Sequence, residues 1–340
     1  MPQHVNLFLR PAFEYENPVT TIPSAPRGSL TVIGNFDGVH RGHQAMLADA
    51  MKNAKERGLS LLILTFHPHP AKVLRNIDVP TLTALPRKCE LIVRAAPDAQ
   101  VLVETFDHAW ASQSPDTFAH EVLATRLQSR VVVVGSNFCF GKNRSGNFAT
   151  LCELGQKYGF ETRSHPMIGD EHGPWSSSRV REAVLAGKAE EAARILGRPH
   201  MLSGRVILGH QRGRTIGFPT CNLGEVPEAL PAHGVYAVLV DRVENNGSKK
   251  AAALARGVAN IGLRPTLGAP DPSPTVEVHL FDTEGDFYGA ELCVHLIHRL
   301  REEKKFQSFG ELKAQIERDA ALAREGLKDF TLPADRRAWG

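Results

Sequence analysis

Two histidines three residues apart, His40 and His43, close a segment that reads Thr31-Val32-Ile33-Gly34-Asn35-Phe36-Asp37-Gly38-Val39-His40-Arg41-Gly42-His43. The β-branched run Thr31–Ile33 predicts a strand, the glycines a tight loop, and the stretch Gly42–Arg57 a helix. Glycine lets a backbone approach a ligand closely, and a helix start presents unpaired N–H groups at the positive end of its dipole. Imidazoles three apart share one helix face, so both can point at a single phosphate chain. On that reading Gly34, Asn35, Phe36, Asp37 and Gly38 are nucleotide-binding candidates and His40 and His43 the catalytic pair. An ordinary strand–loop–helix with two solvated histidines has the same spacing, so the reading depends on what else the chain supplies.

Further segments carry chemistry of their own. Thr65-Phe66-His67-Pro68-His69-Pro70 leaves a strand on alternate prolines, which stiffen the chain without donating N–H groups. There His67 is either a ligand contact or part of a rigid turn. The loop Gly135–Gly146 looks at first like a phosphate-binding P-loop. Five residues separate Gly135 from Gly141, however, and Asn143 stands where Ser or Thr belongs, so that assignment is rejected. Asn137 and Phe138 suit amide recognition and stacking on a planar ring. Ser176-Ser177-Ser178-Arg179-Val180-Arg181 precedes an apolar helical pattern at Ala183, Val184 and Ala186. Its serines either cap that helix or bind phosphate. Arg179 and Arg181, two apart, cannot share a helix face, and Arg181 is the one assigned to phosphate.

The second half holds a different set. Gly213-Arg214-Thr215-Ile216-Gly217-Phe218-Pro219-Thr220-Cys221-Asn222 lies in turn-rich sequence between strand candidates. Gly213 and Gly217 can bring backbone N–H groups toward phosphate, while Thr220 and Asn222, two apart on an extended chain, face the same side. Hydroxyl and amide oxygens are hard donors that suit a magnesium ion carrying nucleotide phosphates; a glycine–proline hairpin loop is the plainer alternative. Thr275–Phe281 alternates strictly, with Val276, Val278 and Leu280 on one face and Thr275, Glu277 and His279 on the other. Glu277 is either a solvated strand carboxylate or the group that accepts a hydroxyl proton during phosphoryl transfer.

These residues require two scaffolds. From about Ser29 to Gly187, short apolar strands (Leu30–Ile33, Leu59–Phe66, Gln100–Val103, Val131–Val134) alternate with helical patterns (Gly42–Arg57, Arg87–Ala95, Pro115–Leu127, Phe148–Tyr158). Such alternation predicts a parallel sheet covered on both faces, with ligands beyond the carboxyl ends of its strands. The loops after Ile33, Phe66 and Val134 all leave such ends. From about Gly204 the strand candidates come without helices: Gly204–Leu208, Val235–Val240, Ala251–Ile261, Thr275–Phe281 and Leu292–Leu300. That series predicts an antiparallel sheet or small barrel. A closing helix is signalled by Ser308 and Glu311 as a capping box and by the stripe Phe309, Leu312, Ile316. The boundary is expected between Gly187 and His200.

The 340 residues suffice for two cored domains, and 42% hydrophobic with 23% charged residues is the composition of a soluble globular protein. With a net charge of +3 and no basic block, nucleic acid is not an expected partner. Apolar runs such as Leu59–Phe66 are too short to cross a bilayer, and no signal peptide is evident, so no membrane partner is expected. Five scattered cysteines (Cys89, Cys139, Cys152, Cys221, Cys293) with no C-x-x-C pair argue for reduced thiols in a cytoplasm, and none is a candidate nucleophile.

The motifs together resemble a family. Gly34-Asn35-Phe36-Asp37-Gly38-Val39-His40-Arg41-Gly42-His43 is similar to the G-x-F-D-G-x-H-x-G-H signature of the nucleotidyltransferase half of prokaryotic bifunctional riboflavin kinase/FMN adenylyltransferases (FAD synthetases). Ser176/Ser177-Ser178 with Arg181 resembles that family's S-S-T-x-x-R, and Asn137 falls on its loop asparagine. Gly213–Asn222 resembles the kinase motif G-R-x-x-G-F-P-T-A-N, and Val276–Asp282 the segment bearing the glutamate base. Gly234-Val235-Tyr236, Gly257–Gly262 with Pro265-Thr266, and Leu300-Arg301 with Lys305-Phe306 also fit. The similarity covers about residues 15–330. Departures are Ser178 for threonine, Trp175 for isoleucine, Trp110 for phenylalanine and Cys221 for alanine; the last could make the kinase thiol-sensitive.

The resemblance implies an α/β, Rossmann-like nucleotidyltransferase domain at 15–188 and an antiparallel β-barrel riboflavin kinase domain with a terminal helix at 195–335. It implies phosphorylation of riboflavin to FMN by ATP, then adenylylation of FMN to FAD with release of pyrophosphate. Mg²⁺ would accompany ATP at Thr220 and Asn222, Glu277 would be the base, and His67, Asn137 and Phe138 the flavin contacts. Adenylyl transfer to an anionic phosphate needs no general base, only positioning and charge stabilisation, which two imidazoles at a helix start can supply. Any self-association is expected to be weak, and contact with apo-flavoproteins transient. A pantetheine-phosphate adenylyltransferase or cytidylyltransferase would share the histidines but not the G-F-P-T-x-N segment. A flavin or nucleotide sensor would have no need of Glu277.

Overall fold

The computed structural model describes residues 7–9, 28–209, 217–245, 249–264 and 273–331, with backbone alone at 7–9, 244–245, 249–250, 264 and 273–274. The chain divides into two compact units, Met1–Ser176 and Ser177–Gly340. The predicted positions Gly213, Pro265 and Thr266 lie outside the described residues.

In the first unit the elements run β1 (Leu7–Leu9), β2 (Ser29–Ile33), α1 (Arg41–Arg57), β3 (Ser60–His67), α2 (Pro70–Arg75), α3 (Leu85–Ala95), β4 (Gln100–Thr105) and α4 (His108–Ala111). Then follow α5 (Pro115–Thr117), a wider helical turn over Phe118–Arg126, β5 (Ser129–Gly135), α6 (Phe148–Tyr158), β6 (Glu161–His165), β7 (Gly169–Asp170) and β8 (Gly173–Pro174). The sheet order is β1-β4-β3-β2-β5-β6, and every neighbouring pair is parallel except β1 with β4. Chain order runs outward from β2 in both directions, so the switch point lies between β2 and β5.

Alternate strand residues feed two separate cores, as a sheet covered on both faces requires. Leu30, Val32, Leu61, Ile63, Val131 and Val133 pack with Met46, Leu47, Leu91 and Ile92 of α1 and α3. Ile33, Leu62, Leu64, Val132 and Val134 pack on the other face with Trp110, Phe118, Leu123 and Leu151. The helix expected over Pro115–Leu127 differs in pitch: the Leu127 N–H reaches back to Val122, a five-residue step. Strand β6, Glu-Thr-Arg-Ser-His, was not anticipated, because an edge strand of polar residues carries no hydrophobic period.

The second unit opens with α7 (Ser177–Leu185) and α8 (Ala189–Leu196). It continues with β9 (His200–Ile207), β10 (Cys221–Gly224), β11 (Gly234–Asn245), β12 (Lys249–Arg264), β13 (Ser273–Leu280), β14 (Glu291–Glu302) and α9 (Phe309–Gly326). The strands close into an antiparallel barrel ordered β10-β13-β12-β11-β14-β9. Val276, Val278 and Leu280 point inward with Leu202, Tyr236, Val238, Ile261 and Val294, the face their alternation predicts. Closure removes the sheet edges that an open meander would expose. The division at Ser176 falls upstream of the expected boundary because α8 buries Ala192, Ile195 and Leu196 and packs on β9 and β14. Gly187, at φ 72°, turns the chain between α7 and α8 where a Cβ would lie 2.8 Å from the Tyr236 hydroxyl.

Candidate active sites

The first site lies at the carboxyl ends of β3, β2 and β5, adjacent strands whose exit loops carry the suspected residues. Gly34 leaves β2 with its N–H on the Leu64 carbonyl, and a Cβ there would stand 2.8 Å from the Phe36 ring. Phe36 is fully buried at φ 51°, and Gly38 and Val39 also have positive φ (81° and 38°), so the loop folds back sharply over the sheet. Phe36 therefore serves the core and leaves only its backbone for a ligand. Asp37 is buried too, and its carboxylate accepts from the backbone N–H groups of Leu82 (3.0 Å) and Thr83 (3.2 Å). These two hydrogen bonds tie the loop to the segment before α3.

His40 occupies the N-cap of α1 with no side-chain cap hydrogen bond, and His43 lies in the first turn. Their rings stack with centroids 3.7 Å apart at 24°, and the edge of Phe36 meets His43 at 5.1 Å. A Cβ on Gly42 would come 3.2 Å from the His40 ring, which explains the glycine between the histidines. Burial, then His40 and Lys88, hold the His43 pKa well below the ordinary imidazole value, so its ring is neutral at pH 7. Its Nδ1 is buried without a hydrogen-bond partner among the described residues.

Lys88 of α3, which the sequence reading passed over, sits beneath both loops. Its side chain is buried, and Nζ donates to the carbonyls of Asn35 (3.2 Å) and Phe66 (2.9 Å). His67 leaves β3 exposed, with its pKa lowered by burial first and then by Lys88 and Lys72. Beyond β5, Asn137 is exposed and the Phe138 ring stacks on Phe140 at 5.3 Å. Phe140 begins a run of ring contacts through Phe118, Trp110 and Phe66 to Phe106. Trp110 is thus a buried packing residue, with the Arg126 guanidinium 5.8 Å from its ring. Phe140 and Gly146 pair through backbone hydrogen bonds of 3.0 and 2.9 Å, a closed turn rather than a P-loop cradle. Ser177, Ser178 and Arg181 lie in the first turns of α7, in the second compact unit.

The second site is built on the outer wall of the barrel. Register sets Asn222 opposite Glu277, Glu277 opposite Asn260, Asn260 opposite Val235 and Val235 opposite Arg301, one transverse row over five strands. Directly opposed residues share a face, so this row presents a carboxylate between two amides. A cleft of about 410 Å³ lies over the row from Glu277 to Arg301, lined by Thr220, Asn260, Glu277 and Arg301 on the barrel and by Phe309, Leu312 and Ile316 of α9, with Asn222 outside its lining. The predicted stripe of the last helix is the cleft's apolar wall, and its cap forms with one change: Ser308 Oγ accepts from the Glu311 N–H at 3.2 Å, while Glu311 Oε2 accepts from the Gln307 N–H at 3.1 Å. Arg301 holds that wall in place through Nε on both oxygens of Asp319 (3.1 and 2.9 Å).

Gly217, at φ 85°, precedes Phe218-Pro219-Thr220. His279 Nδ1 lies 2.8 Å from the Pro219 carbonyl and meets Phe218 edge to face at 5.4 Å, so β13 fastens this loop two residues beyond Glu277. Thr220 is exposed, whereas Asn222 is 9% exposed. Cys221 packs toward the barrel interior, and burial pushes its thiol up to about 11. Its thiolate fraction at neutral pH is accordingly smaller than that of an ordinary cysteine.

A doubly wound sheet with a histidine pair at its switch point and a barrel with a carboxylate-bearing cleft define a chain of two transferase units. Residues 22–179 match the FAD synthetase family and residues 196–327 the riboflavin kinase family. The bifunctional riboflavin kinase/FMN adenylyltransferase of Escherichia coli (strain K12) is 37% identical over 90% of this chain and 96% of its own. That of Haemophilus influenzae is 36% identical over 88% and 94%, and that of Bacillus subtilis (strain 168) 37% over 86% and 90%. A crystal structure described as a macrolide-efflux protein from Streptococcus pneumoniae shares the backbone arrangement, with a TM-score of 0.76, 29% identity and coverage of 88% of this chain and 95% of that one. The chain belongs to the bifunctional riboflavin kinase/FMN adenylyltransferase family and is an enzyme of flavin cofactor synthesis. Among the described residues, no helix is long and apolar enough to cross a membrane.

Proposed function

We propose that the barrel unit transfers the γ-phosphoryl group of ATP to the ribityl 5′-hydroxyl of riboflavin, and that the sheet unit then joins FMN to AMP. The observation that carries this reading is the pair of separate polar constellations, stacked His40 and His43 at a helix start and Glu277 in register between Asn222 and Asn260, with Glu277 and Asn260 lining a cleft. In the kinase step Glu277 accepts the hydroxyl proton as the new O–P bond forms and ADP leaves. Thr220 and Asn222, as hard oxygen donors, would hold the magnesium that accompanies ATP. Gly213 and Gly217 would shape the phosphate loop around it.

In the adenylylation step an FMN phosphate oxygen attacks the α-phosphorus of ATP and the bond to pyrophosphate breaks. The attacker is already an anion, so His40 and His43 act by donating hydrogen bonds to phosphate oxygens as charge moves to the leaving group. The backbone of Gly34–Gly38 would approach the nucleotide. Phe138 and Asn137, with His67, would receive the isoalloxazine ring at the end of the aromatic run. The domain limits proposed for the two activities are 15–188 and 195–335. The free cysteines suit a reducing cytoplasm, and weak self-association with transient hand-off to apo-flavoproteins completes the reading.

Incubating the full chain with riboflavin, ATP and magnesium and separating the flavins by chromatography tests it. FMN should appear first and FAD second, and added FMN should bypass the first step. Unchanged riboflavin and unchanged FMN would end the reading.

A further inference from the structure

A buried lysine is costly unless something requires its charge in place, because burial disfavours the ammonium. Lys88 is 5% exposed, and it lies on a helix whose other charged residues, Arg87, Glu90 and Arg94, pair with one another. Its Nζ bridges two carbonyls at the carboxyl ends of neighbouring parallel strands, Asn35 after β2 and Phe66 in β3. The Thr65 hydroxyl joins the same Asn35 carbonyl at 3.1 Å, so the loop before the histidines is held at one point by two donors. The lysine is also close enough to His43, His67 and Asp37 for its charge to act on all three.

We propose that Lys88 is a positioning residue for adenylyl transfer, locking the loop before His40 to the strand end before His67 and fixing a positive charge beneath the phosphates that meet there. This rests on the adenylyltransferase reading of the first unit. Two backbone carbonyls aimed into an anion site would repel phosphate; with the ammonium between them their oxygens are turned to a cation instead. Burial first, then His40 and then Lys88 lower the His43 pKa, while the Asp37 carboxylate acts on the lysine in the opposite sense. A neutral His43 keeps a single ring N–H to donate to an oxyanion, and its tautomer is set by its surroundings.

The test uses the full chain with Lys88→Met and Lys88→Gln, the second retaining an N–H donor without the charge. Lys88→Met should lower kcat/KM for FMN adenylylation by about thirtyfold or more, and Lys88→Gln by less, with riboflavin phosphorylation unchanged in both. Removing the positive charge takes away one of the causes that lower the His43 pKa, so the inflection that His43 gives the adenylylation pH profile should move to higher pH in both variants. A merely structural role would leave that inflection in place. Wild-type adenylylation with an unshifted profile in either variant overturns the inference, and so does loss of cooperative melting in both. If the unaltered chain itself makes no FAD from FMN, the fault lies in the functional reading and not in Lys88.

Discussion

Glu277 and Asn222 are direct partners across the antiparallel β10–β13 ladder, 55 residues apart in sequence and side by side on the barrel wall. The proposed base and a proposed magnesium-holding residue are thus set by one register. Glu277→Gln keeps the shape and removes the proton acceptor. FMN formation should fall by about 10²–10⁴. Conversion of supplied FMN to FAD should be untouched, and joint loss of both activities would contradict the division of labour.

The histidine pair makes the complementary case. His40→Ala or His43→Ala should lower FMN adenylylation by about 10²–10³ while riboflavin phosphorylation stays at the level of the unaltered chain. Steady-state assays of each half-reaction on the same preparations measure this. Wild-type adenylylation in both variants would remove the imidazoles from the mechanism.

Gly42→Ala separates stability from activity. Alanine is favoured over glycine by at most roughly 1 kcal/mol at the second position of α1, so the helix should hold its stability. The added Cβ, 3.2 Å from the His40 ring, must displace that ring by a few tenths of an ångström. Adenylylation should drop by about tenfold with no fall in melting temperature, since proximity effects are lost over such distances. A variant as active as the parent would mean that the stacked arrangement is not required.

Acid should weaken the first unit. The His43 pKa is lowered in the folded chain, chiefly by burial, while the unfolded chain titrates near the ordinary value of 6.5. Below about pH 6.5 the unfolded state takes up a proton that the folded state refuses, so stability falls as pH falls through that window. The exposed-side neighbour His67, also lowered, adds in the same direction. Calorimetry from pH 7.5 to 5 should show the decline, and His43→Asn should make it shallower; equal slopes would argue against a buried neutral ring.

Asp319→Asn tests the cleft wall. It leaves the Arg301 guanidinium, which the carboxylate grips through Nε and a terminal nitrogen at 2.8 Å, without its counter-charge. Breaking a largely buried pair costs about 3 kcal/mol, so the barrel unit should melt earlier. The KM for riboflavin should rise more than kcat falls, because Phe309, Leu312 and Ile316 lose their fixed position. Unaltered melting and unaltered KM would show that α9 is held by its apolar contacts alone.

What the sequence by itself determined is what a few neighbouring residues encode. The glycine loop and helix start around His40 and His43, the inward face of Val276, Val278 and Leu280, and the cap at Ser308 follow from spacing and periodicity. The tertiary structure alone decided which distant side chains meet. Strand register brought Asn260 beside Glu277, the barrel drew Arg301 to Asp319, and the sheet placed the Asn35 and Phe66 carbonyls where one lysine of α3 reaches both. On a helix, a lone lysine has the same local pattern whether it is solvated or buried. Only the packing of α3 beneath two strand ends distinguishes them, and that packing is a property of the whole sheet.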